Sequence, residues 1–157
     1  MSDNNKIALA ICGLGGFVKR RILPALTSCS NIELVAVVDR SMIASDLSPA
    51  IRRFSSLDEL LKSDFADAVY LATPNHLHCL QTMQCLEAGR HVLCEKPMAT
   101  NSKDCEQMLD VAQKNHRQLT IGHMLRYSPA MLGVRQWIQS GRFGKPQSLN
   151  IKFHYYL

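Results

Sequence analysis

Residues 6–18 read KIALAICGLGGFV, an apolar run that halts on glycine and then resumes. A run of this length without polar alternation is expected of a strand covered on both faces, and such strands belong to parallel sheets. Gly13 permits a tight turn, and a helix is predicted from Gly16 to Ser28. IELVAVVD at 32–39 is a second buried strand that ends on an acid. Strand, glycine turn, helix and strand make one βαβ unit.

The same alternation continues outward. Ser56-Leu57-Asp58-Glu59 has capping-box spacing and starts a short helix to Lys62. A strand over Asp67–Ala72 and a helix over His76–Ala88 follow, the helix stopped by Gly89, a residue suited to a left-handed C-cap. Next come strand His91–Glu95, helix Ser102–Asn115 and strand Gln118–Gly122. Right-handed crossovers wind this order into an α/β, Rossmann-type doubly wound parallel sheet over residues 1–122. Beyond it, Ser128-Pro129 caps a helix that ends near Gly141, and SLNIKFHYYL at 148–157 alternates like a half-buried strand. Residues 123–157 are therefore expected to begin a second α/β domain.

Composition narrows the function classes. The chain has 157 residues, 46% apolar and 20% charged, enough for one domain with a real core and short for two complete ones. Its net charge of +5 is spread along the chain apart from Lys19-Arg20-Arg21, and no aromatic residues interleave with the basic ones. That argues against nucleic-acid binding and reads as a solvated helix start beside a polyanionic ligand. The six cysteines form no CxxC pair and no zinc-finger spacing, so no metal site is expected and a reducing, cytoplasmic setting is. The run Ile7 to Val18 is too short to cross a bilayer, and the neutral MSDNNK before it is unlike a signal peptide.

Three strand ends carry the chemistry. In Gly13-Leu14-Gly15-Gly16-Phe17-Val18, Gly15 lets the backbone approach a pyrophosphate at the helix N-terminus, while Val18 stands where the dinucleotide fingerprint has its third glycine. Asp39, 26 residues after Gly13, can accept both hydroxyl protons of an adenosine ribose, which favours NAD. Arg40 points the other way, because a guanidinium there holds a 2′-phosphate or stacks on adenine. The second strand end is Thr73-Pro74-Asn75, followed by His78. Thr73 and Asn75 offer side-chain bonds to ribose or phosphate, with Asn75 as a helix cap and His78 as a packing residue the plain structural alternatives. The third is Glu95-Lys96-Pro97, where proline holds Lys96 in extended geometry. An ammonium there can bind a substrate oxygen, stabilise a developing alkoxide or lower the pKa of a nearby base, whereas alone it would read as a surface lysine on a turn.

These residues together resemble the Gfo/Idh/MocA oxidoreductases, the glucose-fructose oxidoreductase and inositol dehydrogenase group. The likeness lies in GLGGFVKRRILPAL, VDR, YLATPNHLH, EAGRHVLCEKPMA and GHMLRYSPA, with Glu95-Lys96-Pro97 its most specific element. The resemblance implies hydride transfer between NAD or NADP and a sugar, polyol or related hydroxyl carbon, with NAD ahead of NADP. It implies that Gly13, Leu14, Gly15, Gly16 and Phe17 hold the pyrophosphate, and that Asp39 and Arg40 hold the adenosine. Thr73, Pro74, Asn75 and His78 would then wall the cofactor, Glu95 would face the nicotinamide ribose, Lys96 would be catalytic and Arg126 would lie near the nicotinamide end. Family members run much longer and place an acidic residue and a catalytic histidine in a second domain. The chain is accordingly expected to be the N-terminal part of a longer enzyme, with a non-catalytic dinucleotide-binding regulator or truncated paralogue, and then an NAD-dependent glycosidase, as the alternatives. Homo-oligomers are expected from an uncovered strand edge.

Overall fold

The computed structural model describes residues 6–39 and 47–152. Its central strand is β1 (Ile7–Cys12), flanked by β2 (Ile32–Val38) on one side and β4 (Ala68–Leu71) on the other. Outside these lie β3 (Arg52–Phe54) and the pair β5 (His91–Cys94) and β6 (Leu119–Ile121), giving a parallel six-stranded order β3-β2-β1-β4-β5-β6. The winding reverses between β1 and β4, the place where open α/β sheets form a crevice beyond the strand ends.

Both faces of β1 are buried, which accounts for its unbroken apolar run. Ala10 and Cys12 enter one cluster with Val38, Leu71, Cys94 and Met108, while Leu9 and Ile11 enter the other with Val18, Val37 and Tyr70. The sheet is thus a two-sided core sharing one set of strands.

The helix after the glycine loop departs from expectation. Val18–Ile22 is π-helical and only Leu23–Leu26, α1, continues it as α-helix. Pro24 lacks the N–H that would donate to the carbonyl four residues earlier, which favours the altered register. The helix stops at Leu26, short of Ser28, where bonds from Ser28 N to Ala25 O and from Cys29 N to Leu26 O close a turn.

The remaining caps behave as their chemistry requires. In α2 (Leu57–Leu61) Ser56 Oγ accepts from Glu59 N at 3.2 Å, and Glu59 reaches back to Ser55 N at 2.9 Å rather than to Ser56. Helix α3 (His78–Glu87) runs out to Gly89 at φ 76°. Asn101 Oδ1 caps α4 (Ser102–Lys114) by accepting from Asp104 N.

Two expectations are corrected. Strand β3 is absent from the sequence reading because Arg52-Arg53-Phe54 is short and charged, a pattern that suits a sheet edge and carries no apolar signal. Conversely, 148–152 forms no strand: Leu149 and Ile151 are exposed, and alternation alone cannot make a strand without a hydrogen-bonded neighbour. Residues 153–157 lie outside those described.

The chain divides into two compact units, Met1–Gly122 and His123–Leu157. In the second unit a 3-10 turn over Met124–Tyr127 leads into α5 (Pro129–Ser140), capped by Ser128 and ended by Gly141 at φ 64°. Its described residues contain no strand. No helix among the described residues is long and apolar enough to cross a membrane.

All six cysteines are free thiols, and Cys12, Cys85 and Cys94 are buried. Burial, reinforced by the Asp39 carboxylate, pushes the Cys12 thiol up to about 11, and burial pushes Cys94 up to about 11. Both thiols stay protonated in the folded chain after the unfolded chain has begun to ionise them near its ordinary value of 9.0. Stability is therefore undiminished by these groups below that value and is expected to fall as pH rises from there toward about 11. The urea midpoint followed across that window should decline less steeply in a Cys12→Ala, Cys94→Ala chain. Separately, Met108 is fully buried and Leu109 is 56% exposed on the same helix. Met108→Ala is expected to cost about 2–5 kcal/mol in urea denaturation and Leu109→Ala about 0.5 kcal/mol or less.

Candidate functional site

Gly13 is where the end of β1 meets the end of β4. It sits at φ 96°, and a Cβ there would lie 2.6 Å from the Ala72 carbonyl oxygen. Only glycine meets both conditions, so the turn out of β1 can pass directly against the end of β4. Two further bonds fix the junction: Gly13 N donates to Val38 O, and Ala72 N donates to Cys12 O, each at 2.9 Å. Gly15 is exposed with nothing within 4 Å of its Cβ position, leaving the loop backbone open to approach. Leu14 is buried and Phe17 is exposed. At Gly16 the place of a Cβ lies 2.9 Å from a guanidinium nitrogen of Arg20, so that cation rests on the glycine loop itself.

A cavity of about 490 Å³ opens beside this junction. Cys12, Gly13 and Asp39 line it from β1 and β2, Thr73 and Pro74 from the turn after β4, and Leu80 and Gln81 from α3. Asp39 N donates to Phe54 O at 3.2 Å, which ties this strand end to β3. Arg40 lies outside the described residues. Sequence reasoning missed Ser55 and Ser56, which reach the cavity from the turn between β3 and α2, and Asp58, which reaches it from the first turn of α2. Their capping pattern was legible, but β3, which brings them here, was not.

The turn after β4 is held by α3. Thr73 Oγ1 bonds Gln81 Oε1 at 2.5 Å. His78 is fully buried, with Nδ1 2.7 Å from Pro97 O and Nε2 2.9 Å from Thr73 O. The ring donates to one of these carbonyls in either neutral tautomer and to both when it carries two protons. It is engaged with backbone on both sides and does not line the cavity. Asn75 is exposed and opens a 3-10 turn, Asn75–Leu77, and the side-chain cap considered for it does not form.

At the end of β5 the Glu95 carboxylate is bracketed. Tyr70 donates its hydroxyl to Glu95 Oε1 at 2.6 Å, and Lys96 N donates to Oε2 at 3.2 Å. A Cβ on Gly122 would stand 2.9 Å from Oε1, so a side chain there would press on the carboxylate. Burial, then the Glu95 hydrogen bond and charge, hold the Tyr70 phenol well above its ordinary value. Tyr70 went unread in the sequence because it looks like one more apolar residue of β4. Lys96 and Pro97 are exposed and joined by a cis peptide. Arg126 is exposed in the second unit, in the 3-10 turn Met124–Tyr127. Among the described residues no group of three His, Cys, Asp or Glu could hold a metal ion.

Residues 7–123 match the family model GFO_IDH_MocA, described as an oxidoreductase family with an NAD-binding Rossmann fold. The chain belongs to the Gfo/Idh/MocA family. It is 39% identical over 113 residues to scyllo-inositol 2-dehydrogenase (NADP(+)) IolU of Bacillus subtilis, covering 69% of this chain and 34% of that protein. The WlbA dehydrogenase of Bordetella pertussis, solved with NADH and UDP-GlcNAcA, superposes with a TM-score of 0.82 at 33% identity, over 90% of this chain and 42% of that one. KijD10, a 3-ketoreductase of Actinomadura kijaniata solved with NADP and TDP-benzene, gives 0.78 at 28% identity, over 88% and 43%. The chain thus spans less than half the length of these relatives.

Gly122→Ala is expected to push Glu95 off the Tyr70 hydroxyl, at a cost of about 1–3 kcal/mol in urea denaturation. The ultraviolet ionisation of the Tyr70 phenol should move to lower pH in that variant. No change in either would mean that the bracket around Glu95 yields freely.

Proposed function

We propose that this chain is the dinucleotide-binding part of an NAD(P)-dependent oxidoreductase that moves hydride between nicotinamide and a sugar, polyol or related hydroxyl carbon. The reading is carried by one observation: Gly13 of the glycine loop, the Asp39 strand end and the Thr73 turn line one open cavity, with the Lys96 turn on the adjacent strand. An open loop backbone at a helix start, a carboxylate and an apolar-walled cavity of this size fit a dinucleotide.

In this reading the loop amides from Gly13 to Phe17 hold the pyrophosphate, and Arg20, resting on Gly16, adds positive charge beside it. Asp39 accepts the adenosine ribose hydroxyls and disfavours a 2′-phosphate, which places NAD ahead of NADP. Thr73, Pro74 and Asn75 form the wall, while Glu95, fixed by Tyr70, orients the nicotinamide ribose. The bound nicotinamide supplies the hydride-accepting carbon. Lys96, exposed at its strand end, holds the substrate hydroxyl oxygen with its ammonium and stabilises negative charge there, while the hydroxyl proton passes to a base that the second domain would supply. The residues from His123 onward are read as the start of a second α/β domain, supported by the exposed Leu132, Trp137 and Ile138 on α5, which need cover from that domain or from another copy. Unpaired thiols suit a cytoplasmic setting.

Titration with NADH and NADPH tests the proposal. Saturable NADH binding should raise the unfolding midpoint, with about 2.7 kcal/mol of stabilisation at a hundredfold excess over Kd. Arg20→Gln should weaken NADH about fivefold at low salt, and the difference should shrink as salt screens it. A folded chain that binds neither dinucleotide overturns the reading.

A further inference from the structure

His78 is a buried titratable side chain that the hydride chemistry does not use, and its two contacts join the two turns that chemistry needs. Strands β4 and β5 pair as far as Leu71 and Cys94, and one more backbone bond, Glu95 N to Leu71 O at 2.9 Å, closes the ladder. Beyond it the Thr73 and Pro97 turns leave the sheet side by side, and no backbone hydrogen bond among the described residues links them. The His78 ring spans them, with one nitrogen beside each carbonyl and a proton donated to one of the two in either neutral tautomer. Its base is the first residue of α3, a ten-residue helix. Gln81, one helical turn along on the same side, holds Thr73 independently.

Space filling does not account for this side chain. An apolar residue of similar volume would fill the same place and remove the N–H donor that the ring supplies to these carbonyls. Engagement at both nitrogens also fixes the ring plane, so the separation of the two turns is set by a rigid group.

We propose that His78 is a positioning residue: it holds the cavity rim at Thr73 and the Pro97 carbonyl, just beyond Lys96, at a fixed spacing, so that a ligand reaching both turns binds more tightly than one occupying the cavity alone. The proposal rests on the dinucleotide reading above. Two subsites held rigidly reward a spanning ligand, because the second contact is made without further ordering of the protein. Loosening the spacer removes that advantage and leaves a single-site ligand almost unaffected, since Gln81 still holds Thr73.

Calorimetric titration of the 157-residue chain with NADH and with ADP tests this in the unaltered protein, H78A and H78Q. Affinity for NADH is expected to fall about tenfold in H78A while ADP changes by about twofold or less, and H78Q, which keeps an amide donor, should recover part of the loss. Parallel losses for both ligands, the mark of a purely structural role, overturn the proposal, as do two unchanged affinities. If the unaltered chain binds NADH no more tightly than ADP, the dinucleotide reading fails and this proposal with it. Should both variants fail to fold, ring-nitrogen NMR of the unaltered chain decides. NADH should move the His78 resonances beyond the shift that ADP produces, and identical spectra overturn the proposal.

Discussion

The close approach of Gly13 to the Ala72 carbonyl is the constraint on which this structure depends. A Cβ at 2.6 Å from that oxygen cannot be accommodated, so a side chain at position 13 would drive the first turn away from the end of β4. With glycine there, the β1 and β4 ends meet where the sheet reverses its winding, and the cavity forms beside the junction. The helix then leaves the loop with its first amides open, although Val18 occupies the position of the third fingerprint glycine. Val18 is buried in the second core cluster, and the following turn is π-helical.

Around that junction the site is assembled from backbone and held by buried and half-buried polar side chains. Glu95 is bonded by Tyr70 and by the Lys96 amide, and Gly122 gives it room. His78 and Gln81 reach from α3 to the neighbouring turns. Each such group costs desolvation, and each is repaid only because its partners sit at fixed strand ends. The exposed residues, Lys96 above all, are left free to meet a ligand while the groups behind them are not.

Membership in the Gfo/Idh/MocA family is shown by the match over residues 7–123, which falls almost entirely in the first unit. In the second unit, α5 presents Met131, Leu132, Trp137 and Ile138 to solvent. An amphipathic helix of that kind gains its stability from packing more than from propensity.

The sequence by itself determined the parallel α/β sheet, because burial on both faces writes an unbroken apolar run into β1 and β2 and glycines mark the turns between elements. It determined equally that Gly13, Asp39, Thr73 and Lys96 fall at strand carboxyl ends, since that follows from where the runs stop. Strand β3 was invisible because an edge strand needs only backbone pairing, and Arg52-Arg53 carries no burial signal. The strand expected at 148–157 failed over its described residues for the converse reason, alternation without a neighbour to pair with. Only the tertiary structure decided that His78 faces two carbonyls and that Tyr70 holds Glu95. Those contacts join residues 19 to 25 positions apart or link separate turns, and hydrogen bonds over such separations are fixed by how strands pair. Local composition carries no record of them.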